Sequence, residues 1–172
     1  MDRTEIEQLL FELSHEIEAE GVRGELLLVG GAAMALAYAT RRSTADLDAV
    51  FEPKVAIYAA AARVGARHGL DDGWLNDAVK GFLPGPDPNA TVFFDRPGLV
   101  VRIASARYLL AMKLLASRVE RDEDDIRVLL RLCNIVEPTE ALEVVADLYP
   151  RSEIPAKVEY LVRELLEGPD QS

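Results

Sequence analysis

The chain has 172 residues, 49% of them hydrophobic and 28% charged, enough for a compact core and with no apolar run near the roughly 20 residues of a membrane span. One cysteine, Cys133, excludes an internal disulfide, and with only two histidines beside it argues against a zinc site. The net charge of −11 speaks at first against nucleic acid, but residues 1–20 and 133–172 each carry −6 while 21–132 carry +1.

In chain order, Thr4 to Glu20 is expected to be a helix. Leu9, Leu10, Leu13 and Ile17 recur at helical spacing, with Glu5, Glu7, Glu12 and Glu16 mostly off that stripe. Gly21 and Gly24 stop it. Leu26 to Val29 is a continuous apolar run, the pattern of a strand buried on both faces. Ala32 to Ala39 reads as a small-residue helix and Asp46 to Phe51 as a second strand. Pro53 introduces an alanine-rich helix over Val55 to His68. Asp71 to Gly73 is a turn, followed by Trp74-Leu75-Asn76-Asp77. Pro84-Gly85-Pro86-Asp87-Pro88 excludes regular structure. Thr91 to Phe94 and Leu99 to Ile103, separated by Asp95-Arg96-Pro97-Gly98, read as an antiparallel hairpin. Ser105 caps a helix running to about Val119, and further helices cover Glu123 to Leu132, Pro138 to Tyr149 and Pro155 to Glu167.

This order predicts an α/β (α+β) fold, a small mixed sheet flanked by helices with a helical C-terminal half. Residues 1–104 form the expected core with its N-terminal helix, and 105–172 a helical region packed on it as one compact unit. The acidic excess then falls on the terminal helices, either as solvated faces or as ends that meet a basic partner or keep RNA to one face. Met1 to Glu7 is polar and acidic, unlike a secretory leader, so the expected location is cytoplasmic.

The stretch richest in chemistry runs from Gly30-Gly31 to Arg41-Arg42-Ser43-Thr44-Ala45-Asp46-Leu47-Asp48. Residues i and i+2 of a strand point to one face, roughly 6–7 Å apart. Asp46 and Asp48 held that way suit one divalent cation, or two sharing ligands. Aspartate is disfavoured in strands, so two of them leading into Ala49-Val50-Phe51 form a local conflict of the sort that collects at functional sites. The alternative is a solvent-facing strand start with incidental acids. Gly30 and Gly31 make either a plain strand-to-helix turn or a place where backbone approaches phosphate at the positive end of the next helix. Arg41, Arg42, Ser43 and Thr44 are a polar loop at the least, and donors to phosphate oxygens at the most.

Lys113 lies in the apolar string Leu109 to Ala116, as a snorkelling surface lysine or as an ammonium with a specific partner. Asp122 and Asp125 share a helix face. Asp122 reads equally as a helix cap, and Asp125 as an ion-pair partner of Arg118 or Arg121. Arg63, Arg67 and His68 crowd one helix, as a solvated face or an RNA-backbone contact. Trp74 reads as a core anchor rather than a base-stacking platform, and Tyr108 and Cys133 as packing residues.

Together these pieces resemble the nucleotidyltransferase superfamily, whose signature is a Gly-Gly or Gly-Ser turn, a short helix and Asp-x-Asp or Asp-x-Glu on the next strand. The closer likeness is to its bacterial toxin branch, the AbiEii- and MenT-like proteins, in Gly30-Gly31-Ala32-Ala33-Met34-Ala35 and Arg42-Ser43-Thr44-Ala45-Asp46-Leu47-Asp48. A second similar block is Leu109-Leu110-Ala111-Met112-Lys113-Leu114-Leu115-Ala116-Ser117-Arg118, then Arg121-Asp122-Glu123-Asp124-Asp125-Ile126. Trp74-Leu75-Asn76 looks like a further landmark, and the likeness covers residues 25–132.

The resemblance implies a Mg²⁺- or Mn²⁺-dependent enzyme that moves a nucleoside monophosphate from a nucleoside triphosphate to a hydroxyl acceptor. Asp46 and Asp48 become metal ligands, and Gly30 and Gly31 the phosphate turn. Arg42, Thr44, Arg118 and Lys113 contact the nucleotide, and Asp125 positions the acceptor or Lys113. The implied acceptor is the 3′ end of tRNA, and the implied role that of a toxin with a cognate antitoxin protein. A protein or small-molecule acceptor, or a non-catalytic binding module, are the alternatives. Two departures stand out. Many members carry a third carboxylate on a later strand, as base or metal ligand. Here Leu99 to Ile103 carries Arg102, leaving Asp95, if the hairpin is shifted, or Asp125 for that role. Gly31 stands where many polymerases of the superfamily have serine, which removes a phosphate-binding hydroxyl.

Overall fold

The computed structural model describes residues 1–38, 43–116 and 119–168, and the side chains of 119–121 lie outside that description. In order the elements are α1 (Arg3–Ala19), β1 (Gly24–Leu28), α2 (Gly30–Ala37), β2 (Leu47–Glu52), α3 (Lys54–His68) and β3 (Leu75–Asn76). A 3-10 turn (Ala78–Phe82) leads to β4 (Thr91–Asp95) and β5 (Leu99–Ile103), then α4 (Ala106–Ala116), α5 (Val119–Leu132), α6 (Pro138–Leu148) and α7 (Ala156–Glu167). The fold is mixed α/β, and it divides into two compact units, 1–81 with 88–104, and 82–87 with 105–172. Among the described residues no helix is long and apolar enough to cross a membrane.

In the first unit five strands form one mixed sheet, ordered β3-β2-β1-β5-β4. β1 runs antiparallel to β2, with Leu28 opposite Ala49, and parallel to β5, with Leu28 beside Ile103. β3 joins parallel to β2 and sets Asp48 beside Asn76. β4 and β5 make the expected hairpin, with a register shift between Val92 and Phe94. A Cβ added at Gly98, in its turn, would meet the Ser14 carbonyl oxygen of α1 at 2.0 Å, so packing on α1 demands glycine there.

One sheet face is core: Leu26, Leu28, Ala49, Phe51, Val101 and Ile103 are buried on it. α1 and α3 lie over this face, Phe11 meeting Phe94 and Tyr58 meeting Phe51 edge-on, each at 5.0 Å between ring centres. The other face carries Glu25, Leu27, Asp48, Val50 and Arg102, with Arg102 paired to Glu25 at 3.2 Å. This corrects the expectation that β1 is buried on both faces. Its residues alternate, Glu25 exposed and Leu27 half-buried, because the apolar run spans a strand with one core face.

α1 starts at Arg3 because Asp2 closes a capping box. Its carboxylate accepts the Glu5 N–H at 2.9 Å, and the Glu5 carboxylate accepts the Asp2 N–H at 2.7 Å. The acids of α1 are more than a solvated face. Arg63 pairs with Glu16 (2.6 Å) and with Glu20, Arg67 with Glu16 (2.6 Å), and His68 with Glu12 (2.9 Å). The α3 cations, open in the sequence to an RNA contact, are spent on this helix-to-helix seam. Within the seam Glu12 is held below its ordinary value chiefly by the hydrogen bond from His68, and Glu16 by those from Arg63 and Arg67.

In the second unit α4 packs on α5 and α6, and α6 on α7. The Asp87 carboxylate accepts the Ser105 N–H at 2.7 Å and the Ser105 hydroxyl at 3.1 Å, while the Tyr108 hydroxyl donates to the Gly85 carbonyl at 2.7 Å. The proline-rich piece is thereby pinned to the start of α4. Tyr108 is buried, which pushes its phenol above the ordinary range. α5 begins at Val119, so Asp122 lies inside the helix and is not its cap.

Candidate active site

β1 ends at Leu28, and α2 begins on Gly30 rather than at Ala32. Gly30 has φ +59°, a left-handed conformation that favours glycine. A Cβ there would also lie 2.9 Å from Oδ2 of Asp48. The backbone conformation favours glycine, and any side chain here would have to push the end of the Asp48 carboxylate aside. The consequence is that the Asp48 carboxylate packs against the first residue of α2. A helix start presents N–H groups without intrahelical partners and the positive end of the dipole, and Val29, in the cap position, supplies no side-chain hydrogen bond. The Val29 N–H donates to the Asp48 carbonyl at 3.0 Å, tying the turn to β2. Gly31 follows as the second residue of α2, half-buried.

Asp46 sits just before β2, half-buried. Thr44 shapes its approach. The Thr44 hydroxyl donates to the Asp46 carbonyl at 3.0 Å, and the Thr44 N–H donates to the Met1 carbonyl at 2.8 Å. β3 supplies a third polar group. The Asn76 amide nitrogen donates to Oδ2 of Asp46 and to the Gly73 carbonyl, each at 3.4 Å, and the Asn76 carboxamide oxygen accepts the Ala78 N–H at 3.2 Å. Next in the chain, Asp77 accepts the Tyr58 hydroxyl at 2.6 Å and pairs with Lys54. Those hydrogen bonds, Lys54 first, hold the Asp77 carboxyl below its ordinary value, and Asp77 raises both Lys54 and the Tyr58 phenol.

Beside Asp46 opens a recess of about 390 Å³, walled by Leu70, Asp71 and Trp74. Trp74 is buried and donates its indole N–H to the Ala61 carbonyl at 3.0 Å, the core anchor that the sequence suggested.

Asp46 and Asp48 offer a cation two carboxylates on the strand end nearest the glycine turn. Among the described residues no group of three or more His, Cys, Asp or Glu side chains gathers to hold a metal. Mg²⁺ dehydrates reluctantly and commonly takes one or two carboxylates plus waters and substrate phosphates. Two carboxylates could supply only part of such a cation's shell. Asp95 does not complete the set, which corrects that expectation. It pairs with Arg23, and it lies beside Val100, level with the Glu25–Glu52 end of the sheet. That is four residues along β2 from Asp48, or roughly 13 Å.

In the second unit Nζ of Lys113 lies 2.7 Å from Oδ1 of Asp122 and 2.9 Å from Oδ2 of Asp125, with side chains 10%, 13% and 3% exposed. Lys113 is therefore not a snorkelling surface lysine. Asp122 and Asp125, one turn apart on α5, both meet the ammonium of α4. The expected partners Arg118 and the side chain of Arg121 lie outside the described residues, as do Arg41 and Arg42.

No family model, curated protein or solved structure matches the chain. Sequence reasoning gave Asn76 no role. Its signal was present in the alternation Trp74-Leu75-Asn76, which turns Asn76 away from the buried Leu75, but only the strand pairing reveals which residues it meets.

Proposed function

We propose that this protein is a nucleotidyltransferase, moving a nucleoside monophosphate from a nucleoside triphosphate to a hydroxyl acceptor. The observation that carries the reading is the contact between Gly30 and Asp48. A left-handed glycine opens a helix, and the space its missing Cβ leaves is occupied by a carboxylate, with a second carboxylate two residues earlier. In the reaction the acceptor oxygen attacks the α-phosphorus. A new P–O bond forms as the bond to the α–β bridging oxygen breaks, pyrophosphate departs, and the hydroxyl proton passes to a carboxylate or water. A bound Mg²⁺ or Mn²⁺ supplies charge neutralisation at the phosphates. The chain's part is to hold that cation on Asp46 and Asp48 and to offer phosphate oxygens the backbone of Gly30 and Gly31. Phosphate contact by Arg42, Thr44, Arg118 and Lys113, and positioning by Asp125, rest on the resemblance. So do the tRNA 3′ end as acceptor and the role of a toxin held by a cognate antitoxin.

One observation favours a second reading, transfer to a protein hydroxyl. Arg63, Arg67 and His68 are engaged with α1, and the recess beside Asp46 is walled by Asp71, so among the described residues neither place adds an unengaged cation for a phosphodiester backbone.

The test is a transfer assay with each labelled nucleoside triphosphate, Mg²⁺, total tRNA and a cell lysate. Label on tRNA that falls at least about 100-fold in Asp46→Ala/Asp48→Ala is the expected result. Label on protein moves the conclusion to the second reading. Transfer unchanged in the double variant overturns the role of the aspartates.

A further inference from the structure

We infer that the recess beside Asp46 is a binding site for an organic cation, an ammonium or guanidinium group carried on an aliphatic stem. The site stands apart from the transfer reading, and only its use in choosing an acceptor rests on that reading.

The wall sets the charge. Asp46 and Asp71 both line the recess, and no lysine, arginine or histidine joins them there among the described residues. The Asp46 carboxylate takes the neutral Asn76 amide at 3.4 Å, and Asp71, in an exposed turn, makes no ion pair among the described residues. Other carboxylates of this unit receive a counter-charge from the chain itself, Glu16 from Arg63 and Arg67, Asp77 from Lys54 and Asp95 from Arg23. A recess lined by one sign of charge concentrates ions of the other sign and repels phosphate.

The shape sets the size. About 390 Å³ is too large for a bare ion and falls in the lower part of the roughly 300–1,000 Å³ range of pockets for small organic ligands. Trp74 is 3% exposed and gives its indole N–H to the Ala61 carbonyl, so it offers no open ring face for a nucleobase to stack on. Leu70, half-buried on the same wall, offers aliphatic surface to a stem. Gly73 lies outside the left-handed region, and a Cβ there would meet nothing within 4 Å. Neither conformation nor packing asks for glycine at this position. What its missing side chain leaves is room at the recess.

On the transfer reading the consequence concerns the acceptor. A lysine or arginine lodged in the recess brings a hydroxyl beside it in the same polypeptide to Asp46. Protein acceptors with Ser, Thr or Tyr next to a basic residue are then favoured.

Trp74 is the chain's one tryptophan, so its indole N–H resonance reports on the recess directly. The experiment follows that resonance, without nucleotide or metal, as N-acetyl-lysine amide, N-acetyl-arginine amide, spermidine or the neutral N-acetyl-glutamine amide is added. Saturable shifts with the cations and none with the neutral probe are expected. Asp71→Asn should weaken binding roughly two- to fivefold, the scale of an exposed ion pair. Gly73→Leu should abolish it in a protein that melts as wild type does, while Glu159→Gln, which removes one charge from α7, should leave it unchanged. Stronger binding of the amino-acid amides than of spermidine assigns the cation to a polypeptide side chain, and the reverse order assigns it to a free polyamine. Equal shifts with the neutral probe, no shift with any cation, or equal weakening by Asp71→Asn and Glu159→Gln overturns the inference. Because no transfer is measured, that failure leaves the transfer reading standing, and an inactive protein leaves the cation site standing.

Discussion

Two pairs of aspartates in this chain meet opposite fates. Asp46 and Asp48 are half-buried at a strand end, touched by an amide and a glycine turn. Asp122 and Asp125 are buried on a helix, and the Lys113 ammonium lies between them within 2.9 Å of both. Asp46 of the first pair borders the recess. The second already has its cation, and it is part of the chain. Like residues therefore carry unlike roles. The buried pair shares one ammonium and ties α4 to α5, whereas the strand-end pair lies beside a glycine turn and, at Asp46, a recess.

The largest expected effect separates the two directly. Lys113→Met takes the ammonium away from two buried carboxylates and should lower stability by roughly 3–5 kcal/mol in urea unfolding. Adding Asp122→Asn and Asp125→Asn should recover part of that loss, since two buried negative charges go with the ammonium. A Lys113→Met protein as stable as wild type would break the comparison.

Gly30→Ala comes next. The left-handed backbone and the 2.9 Å approach to Asp48 predict a loss of about 1–3 kcal/mol, together with weakened Mn²⁺ binding because Asp48 must move. A stability loss with Mn²⁺ affinity intact would show that the glycine serves the fold alone.

The smallest effect belongs to the seam between α1 and α3, where charges are paired but largely exposed. Glu12 and Glu16 have folded values lowered below 4.5, so their stabilisation is present above the ordinary glutamate range and is lost as pH falls through the lowered values. Glu12→Gln/Glu16→Gln should flatten the decline of melting temperature below about pH 4.5 and change it little at pH 7. A large change at pH 7 would place this exposed seam in the same class as the buried Lys113 group.

Much was legible in the sequence because local rules decide it. The stripe of α1, the hairpin around Asp95-Arg96-Pro97-Gly98 and the cap at Ser105 all follow from periodicity and turn chemistry. Partners across the fold do not. That Asp95 points to the far end of the sheet depends on the register of β4, β5, β1 and β2 together. That Lys113 is buried depends on α5 bringing two acids to α4, and that Asn76 meets Asp46 depends on a two-residue strand pairing in parallel. The sequence by itself determined which elements form and which residue types carry the chemistry, since these depend on neighbours a few residues away. The tertiary structure decided which partner each charge meets, because a charge's environment is set by residues distant in the chain.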